Sequence, residues 1–589
     1  MVHDVDLHIA FMAYQAWGHT KPLCSLSAQI TKFRPVHITF FTARHMYKKV
    51  VTEISRNFED EEQDNLDRIR VVGLDCHEQD PYDVDVVGKR FGIQIQKLLN
   101  SEPVICANTN RELPSLRPPS TLLVDIFGYT FLQIARSHSS DLKILAWAPG
   151  SLVALFCLFG PFEPNSVGKL QHRVEELASQ PGNSIANAAE IILNTPTEEI
   201  VHVPGLPPLY RYEGFPQEVT SSCAAYDIYP CTNNNASIRL SWNLIQECDG
   251  IVASAFQNVE PVDGLQAIAE FYRPTSRQVY IVGPLLPSTK RAAAVEMEEA
   301  AKSPEIMTFM DETLRSHGEK SLIYISFGTV FWPSNSENLW TFLDVLMERG
   351  VPFTTMSRQY THPPKKKKVP DQVVEKIRLS GLGVLTTWAP QQVVLDHPVT
   401  GWFVTHSGYN SYSESILAGV PMICWPIGAD QPVNTIHLTE NLNVAYELLE
   451  VRTGHGLRPI YRTGRTPLGT SDAIRAEARG VLDKAFGADG AEKRANVRRL
   501  REASLRLWEH DGAARRAAEE FLDSSFAHDA VKRLSMGSSG QQADESRTTS
   551  VVRLLGTMYS TFMPSILAAY VETVFRLVSK LWSTNEPAE

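Results

Sequence analysis

Positive charge is in short supply. The 589-residue chain carries 56 Lys and Arg against 67 Asp and Glu, a formal net charge of -11. That balance excludes a general nucleic-acid binder, because a phosphate backbone demands a basic surface. One local exception, Lys365 to Lys368 after two prolines, has the look of a nuclear import run but reads more simply as a solvated loop. Cysteine is sparse as well: eight residues are scattered with no pair at zinc-ligand spacing and no close, even framework. A zinc module and a disulfide scaffold are thereby excluded, and reduced thiols in a cytoplasmic chain are expected. The opening MVHDVDLHIAF lacks the basic flank and long apolar core of a secretion signal, so the glycosylation sequon at Asn235 is expected to go unused.

What is present is an ordinary globular composition, with 43% hydrophobic and 21% charged residues. The length exceeds what one core usually serves and predicts two similar α/β domains. Residues Asp6 to Tyr14 run into an apolar stretch that predicts a first buried strand, followed by the loop QAWGHTKP and a helix beginning near Leu23. Further strands are predicted at Val36 to Thr42, Ile69 to Leu74, Thr121 to Phe127, Leu142 to Ala146, Gly250 to Phe256 and Val279 to Val282. Helical patterns separate most of them, the rhythm of a parallel sheet. His19 falls in the loop after the first strand and Asp125 near the end of the fourth strand, where open α/β sheets meet their ligands. Taken alone, the histidine could be an ordinary loop residue and the aspartate a helix cap.

The most informative stretch is Trp388 to Gln431, WAPQQVVLDHPVTGWFVTHSGYNSYSESILAGVPMICWPIGADQ. It holds two buried-strand candidates, GWFVTHSG and VPMICWP, joined by a short helix from about Asn410 to Ala418 that Gly419 stops. His406, Ser407, Gly408, Tyr409, Asn410 and Ser411 cluster where that helix offers free N–H groups and the positive end of its dipole, a site for phosphate. Trp388 supplies a stacking face and Gln391 an amide upstream, while Asp430 and Gln431 follow the next strand. A strand, helix, strand unit with capping residues would explain Asn410 and Ser411 but not the whole set.

At these residues the sequence closely resembles the signature box of UDP-dependent small-molecule glycosyltransferases, the family that includes plant secondary-product glycosyltransferases. WAPQ, HP, the TH-G-NS core, Glu414, AGVP, WP and the terminal DQ all stand ungapped. The resemblance extends from about Asp6 to Leu522 and suggests a fungal-type member with an added C-terminal tail. It implies a GT-B fold, two Rossmann-like doubly wound parallel-sheet domains facing across a cleft. The domains are expected at 1–287 for the acceptor and 321–471 for the UDP-sugar. Residues 288–320 would be linker and connecting helix, the Ala-, Glu- and Lys-rich Ser288 to about Lys302 reading as the linker, with 472–529 helices crossing back to the first domain and 530–589 linker and amphipathic tail helix.

The resemblance further implies that His19 is the base and Asp125 the residue orienting it, with the sugar's configuration inverted. Trp388 would stack on uracil, Gln391 contact base or ribose, and Glu414 bind the ribose hydroxyls. His406, Gly408, Asn410, Ser411 and Ser326, the last in the strand SLIYISFGT, would hold the diphosphate, and Asp430 and Gln431 the sugar. The terminal glutamine favours UDP-glucose as donor. Tyr409 departs from the tryptophan of plant members at a position that helps select the sugar. No cofactor or metal is implied beyond the UDP-sugar co-substrate; the DVD triplets at Asp4 to Asp6 and Asp83 to Asp85 mimic a metal signature of another glycosyltransferase class but read as solvated faces. The acceptor is expected to be a small lipophilic alcohol or phenol, with a sterol or lipid as the alternative. A catalytically silent module that binds a nucleotide sugar or lipid is the competing reading from another class.

The tail departs from the family. Gly537 to Ser550 has the composition of a flexible spacer, and no charge occurs between Arg553 and Glu572. From Ile566, Tyr570, Val574, Leu577, Val578 and Leu581 share one helical face and Glu572, Arg576 and Lys580 another. Docking on the protein or a partner, peripheral membrane contact through residues 551–582 and a membrane span are all compatible with this pattern. Removing the chain after Ser550 is expected to leave turnover of soluble acceptors intact, as steady-state UDP release would show.

Overall fold

The computed structural model describes residues 7–76, 84–159, 170–184, 187–188, 191, 197–218, 237–275, 277–287, 289–328, 331–356 and 369–537. The run Lys365 to Lys368, the sequon at Asn235, the first DVD triplet, Asp83 of the second and the tail residues 551–582 lie outside them. The chain divides into a unit Met1–Phe526 and a unit Ala527–Glu589. The first unit contains both sheets, and of the second only the end of the helix Ala513–Gly537 is described.

The first sheet has seven parallel strands: β1 (Leu7–Met12), β2 (Val36–Ala43), β3 (Ile69–Leu74), β4 (Thr121–Asp125), β5 (Lys143–Ala148), β6 (Gly250–Ala253) and β7 (Gln278–Ile281). Their spatial order is β7-β6-β5-β4-β1-β2-β3. β1 and β4 are buried along their whole length, because helices cover both faces of a parallel sheet and the strands read as apolar runs. The second sheet has six: β8 (Leu322–Ser326), β9 (Phe353–Met356), β10 (Gly383–Thr386), β11 (Thr400–Thr405), β12 (Met422–Cys424) and β13 (Ala445–Glu447), in the order β10-β9-β8-β11-β12-β13.

The strand order fixes where ligands can sit. Chain direction across the first sheet reverses between β1 and β4, which pair with Met12 opposite Val124. Across the second it reverses between β8 and β11, with Ser326 opposite Thr405. Crossover helices leave opposite faces at such a point and open a crevice beyond the carboxyl ends of the two strands. His19 and Asp125 follow β1 and end β4, while Ser326 and His406 end β8 and follow β11. Both pairs of candidates therefore stand at a switch point.

Two elements differ from the sequence expectation. Helix α1 spans Trp17–Phe33 and includes GHTKP, so His19 lies in its first turn rather than in a loop. Pro22 is accepted inside the helix because the carbonyl its missing N–H would have bonded, that of Gly18, accepts instead from Asn410 Nδ2 at 2.8 Å. The Ala- and Glu-rich stretch expected as linker forms helix α2 (Lys290–Ala300), capped by Thr289 Oγ1 accepting from Ala292 N. Arg56 of the first lobe binds Glu296 on α2 at 2.8 Å.

Helices after the second sheet return to the first. Trp508 Nε1 donates to Pro284 O at 2.7 Å, and Phe521 packs on Tyr280 with ring centroids 6.0 Å apart. No helix among the described residues is long and apolar enough to cross a membrane.

Candidate active site

β1 delivers the chain directly into the first turn of α1. There His19 is half-buried, and its Nδ1 lies 2.9 Å from Asp125 Oδ2. Asp125 is wholly buried, and its Oδ1 accepts from Phe127 N at 3.0 Å. Both carboxylate oxygens are thus engaged by donors, which assigns the proton of the neutral imidazole to Nδ1 and leaves Nε2 with a lone pair. Trp147 Nε1 donates to the His19 carbonyl at 3.1 Å. The rings of Tyr14 and Phe127 stand 5.7 and 5.1 Å from the imidazole, giving it an aromatic surround.

From the other lobe, β11 ends at Thr405 and the chain turns through His406, Ser407 and Gly408 into helix α3 (Tyr409–Ala418). Ser407 has a φ of +67°, a left-handed conformation that non-glycine residues seldom adopt. Asn434 Nδ2 holds the turn by donating to Ser407 O at 2.9 Å, and also reaches Asp430 Oδ2 at 2.7 Å. The His406 ring is wedged between Gly328 and Gly408: a Cβ on either would stand 2.9 or 2.6 Å from it. Burial pushes its pKa down to about 4, so it is neutral at pH 7, and its Nδ1 has no partner. Ser326 and Ser411 are buried close to the same crevice. Ser326 ends the strand paired with β11, and its Oγ accepts from Gly328 N at 3.4 Å.

The two halves meet. Asn410, on the first turn of α3, bonds the carbonyl of the residue preceding His19. Glu414, one turn further along, is reached by Gln391 Nε2 and by Lys21 Nζ, each at 2.7 Å. An imidazole–carboxylate pair thus faces a helix N-terminus across an interlobe crevice. Residues 276–453 match the family model described as UDP-glucoronosyl and UDP-glucosyl transferase. UDP-glycosyltransferase eriJ of Hericium erinaceus is 30% identical over 535 residues, covering 88% of this chain and 98% of that protein.

The chain belongs to the UDP-glycosyltransferase family.

A second relative, UDP-glucose flavonoid 3-O-glucosyltransferase 6 of Fragaria ananassa, is 27% identical over 47% of this chain and 55% of its own length. The crystal structure of a ugt transferase from Siraitia grosvenorii in complex with UDP superposes with a TM-score of 0.62 at 18% identity, over 88% of this chain and 100% of that one. The two parallel sheets are those of the GT-B fold.

The remaining expected residues of this glycosyltransferase differ in how they are presented. Trp388 is 42% exposed, with its carbonyl tied down by Thr386 Oγ1 at 2.6 Å and Ser303 Oγ at 3.3 Å. Its ring makes no recorded stacking contact with the rest of the set. Burial raises the pKa of Asp430, against the opposing hydrogen bond from Asn434. Gln431 is fully buried, and its Oε1 accepts from Ile427 N at 2.8 Å and Gly428 N at 3.1 Å, leaving Nε2 as its unpartnered atom. Tyr409 turns away from the phosphate cradle: its hydroxyl donates to Ser254 O at 2.6 Å and its ring packs edge-on against Phe256. Among the described residues no three His, Cys, Asp or Glu side chains are gathered as a metal ion would require.

Sequence reasoning passed over Gly18, Lys21 and Asn434. Pro22 is the one signal that pointed to Gly18, since a proline inside a helix leaves a carbonyl in need of a donor. The others act through contacts between segments distant in sequence.

Proposed function

We propose that the enzyme moves glucose from UDP-glucose to a hydroxyl of a small lipophilic acceptor, inverting the anomeric configuration. The observation that carries the reading is the His19–Asp125 pair set one residue from the interlobe contact with Asn410. An alcohol is a weak nucleophile at neutral pH, so a positioned base must take its proton in the transition state. His19 Nε2 has the free lone pair for this, and Asp125 holds the tautomer and stabilises the imidazolium.

The leaving diphosphate gains negative charge, which His406, Asn410, Ser411, Ser326 and the N–H groups opening α3 are suited to bind. Trp388 would stack on uracil, Gln391 contact the base or ribose, Glu414 accept from the ribose hydroxyls, and Asp430 with Gln431 Nε2 bind the sugar. The reaction so written uses no metal and no cofactor beyond the UDP-sugar. The Fragaria relative's name supports glucose as the donor. The aromatic surround of His19, made by Tyr14 and Phe127, supports an apolar, ring-bearing acceptor.

The test is UDP release from UDP-glucose in the presence of a mixed panel of phenols, sterols and hydroxy-lipids, with products weighed by mass spectrometry. A product heavier than its acceptor by one hexose supports the reading. Binding of UDP-glucose with no product from any class would favour a silent binding module. Trp388→Ala gives a sharper check on the donor side. Loss of one base-stacking face is expected to weaken UDP by about 1–3 kcal/mol, roughly 5- to 150-fold in Kd by titration calorimetry. The half-exposed ring leaves the fold's stability unchanged in the same variant.

A further inference from the structure

The run that forms the turn and helix of the diphosphate cradle contributes no cation. No Lys or Arg occurs anywhere from Trp388 to Gln431, and burial holds His406 neutral. A diphosphate leaving group in a crevice shielded from water needs positive charge as well as neutral donors. The first lobe brings one to the right place. Lys21, two residues after His19, is largely buried, with its Nζ 2.7 Å from Glu414 Oε1. Although burial opposes the charge, Glu414 and Glu53 more than offset it and keep Lys21 an ammonium.

Glu414 is fully engaged, since Gln391 Nε2 takes its other oxygen at 2.7 Å. Ribose hydroxyls that bond this carboxylate compete with these two partners for it. Lys21, Asn410 and Glu414 line one small cavity together with Tyr409 and Ser413. Asn410 and Glu414 share a face of α3 one turn apart, about 6 Å along the axis. A change of rotamer in a flexible four-carbon side chain spans that distance with no backbone movement.

We propose that Lys21 is the charge-compensating residue for the donor diphosphate, held by Glu414 until ribose claims that carboxylate and then turning to the phosphates beside Asn410. As the anomeric carbon–oxygen bond breaks, its electron pair goes to the UDP oxygen. The acceptor oxygen forms the new bond to that carbon, and its proton passes to His19 Nε2. Lys21 adds a hydrogen bond and a unit charge to the departing phosphate, with no proton transferred. The inference rests on the donor site proposed above.

The experiment compares the affinities of UDP and uridine for the full-length enzyme and its Lys21→Met and Lys21→Arg variants by titration calorimetry, alongside kcat. Uridine offers ribose without phosphate, so Lys21→Met is expected to bind it as well as the parent or better, Glu414 being released. UDP should bind more weakly, lowering the UDP-to-uridine affinity ratio at least tenfold and kcat at least tenfold, with Lys21→Arg restoring most of both. Because Lys21→Met leaves a buried carboxylate unpaired, the double variant Lys21→Met with Glu414→Gln is measured too and should show the same low ratio, while Glu414→Gln alone keeps the parent's. A ratio within twofold of the parent's in both Met variants would overturn the inference while leaving the donor site standing. Failure of the parent enzyme to bind UDP would overturn the donor site and this inference with it.

Discussion

Turnover by a His19→Ala enzyme is expected to fall by about 10³-fold, while its Kd for UDP stays within about twofold of the parent's, because a base acts on the transition state and not on the bound donor. The imidazole is partly exposed and belongs to no core cluster, so it can be removed without opening a core. Asp125→Asn should be nearly as damaging, by about 10²- to 10⁴-fold in kcat. Both Asp125 oxygens accept, one from Phe127 N and one from His19, whereas an asparagine offers one oxygen and must point its amide hydrogens at one of those donors. Satisfying the Phe127 amide then forces His19 into the tautomer with its proton on Nε2, where no lone pair remains for the acceptor. Single-turnover and binding measurements separate the two effects. If His19→Ala kept a tenth or more of the parent's kcat, another group would have to be the base.

The second large effect concerns stability. Arg462 sits between two acidic residues, reaching Glu213 Oε2 at 3.3 Å and Glu447 Oε2 at 2.5 Å, and all three are buried or nearly so. Glu213 belongs to the segment that follows β5 in the chain and precedes β6, whereas Glu447 ends β13, so the guanidinium joins the two lobes. Arg452 completes the set at 2.5 Å from Glu447 Oε1. Replacing Arg462 with leucine strands the Glu213 carboxylate without a countercharge, leaves Glu447 with Arg452 alone, and is expected to cost about 3–5 kcal/mol. It would be read as a lower urea midpoint at an unchanged m value. Lysine should not rescue it, because a point charge cannot satisfy two carboxylates as a planar fork does.

Burial opposes ionisation of Glu447, yet Arg452 and Arg462 bring its pKa below the ordinary glutamate value. The folded state therefore gains stability from this group above the unfolded glutamate pKa and loses it as pH falls through the lower folded value. In Arg462→Leu that acid-side loss should begin at higher pH. An unchanged midpoint would mean that the cluster contributes nothing net.

Much of the site was legible because its residues lie in one continuous run. Trp388, Gln391, His406, Asn410, Glu414 and Asp430 each have a chemical type suited to one part of a nucleotide sugar, and a strand, turn and helix predicted from periodicity set them in order. His19 and Asp125 were legible through position, as polar residues at the ends of apolar strands. The start of α1 was not, because glycine and proline in GHTKP signal a turn when only the local chain is considered. The donor that makes Pro22 acceptable comes from Asn410, 392 residues beyond Gly18. α2 was taken for a linker on its composition, although Thr289 offers a cap and the alanines that follow are strong helix formers. Lys21 was invisible for a related reason: its significance lies in a carboxylate from the other lobe.

The ring of Pro22 leaves the Gly18 carbonyl to a donor from the other lobe. Had this residue possessed an N–H, the helix would satisfy the Gly18 carbonyl internally and the base-bearing turn would be indifferent to the position of its neighbour. With that bond handed to Asn410, drawing the lobes apart strips a part-buried carbonyl of its partner within one residue of the imidazole proposed as base. Pro22→Ala would let the turn seal itself and loosen the tie between the turn that carries Asn410 and the imidazole proposed as base.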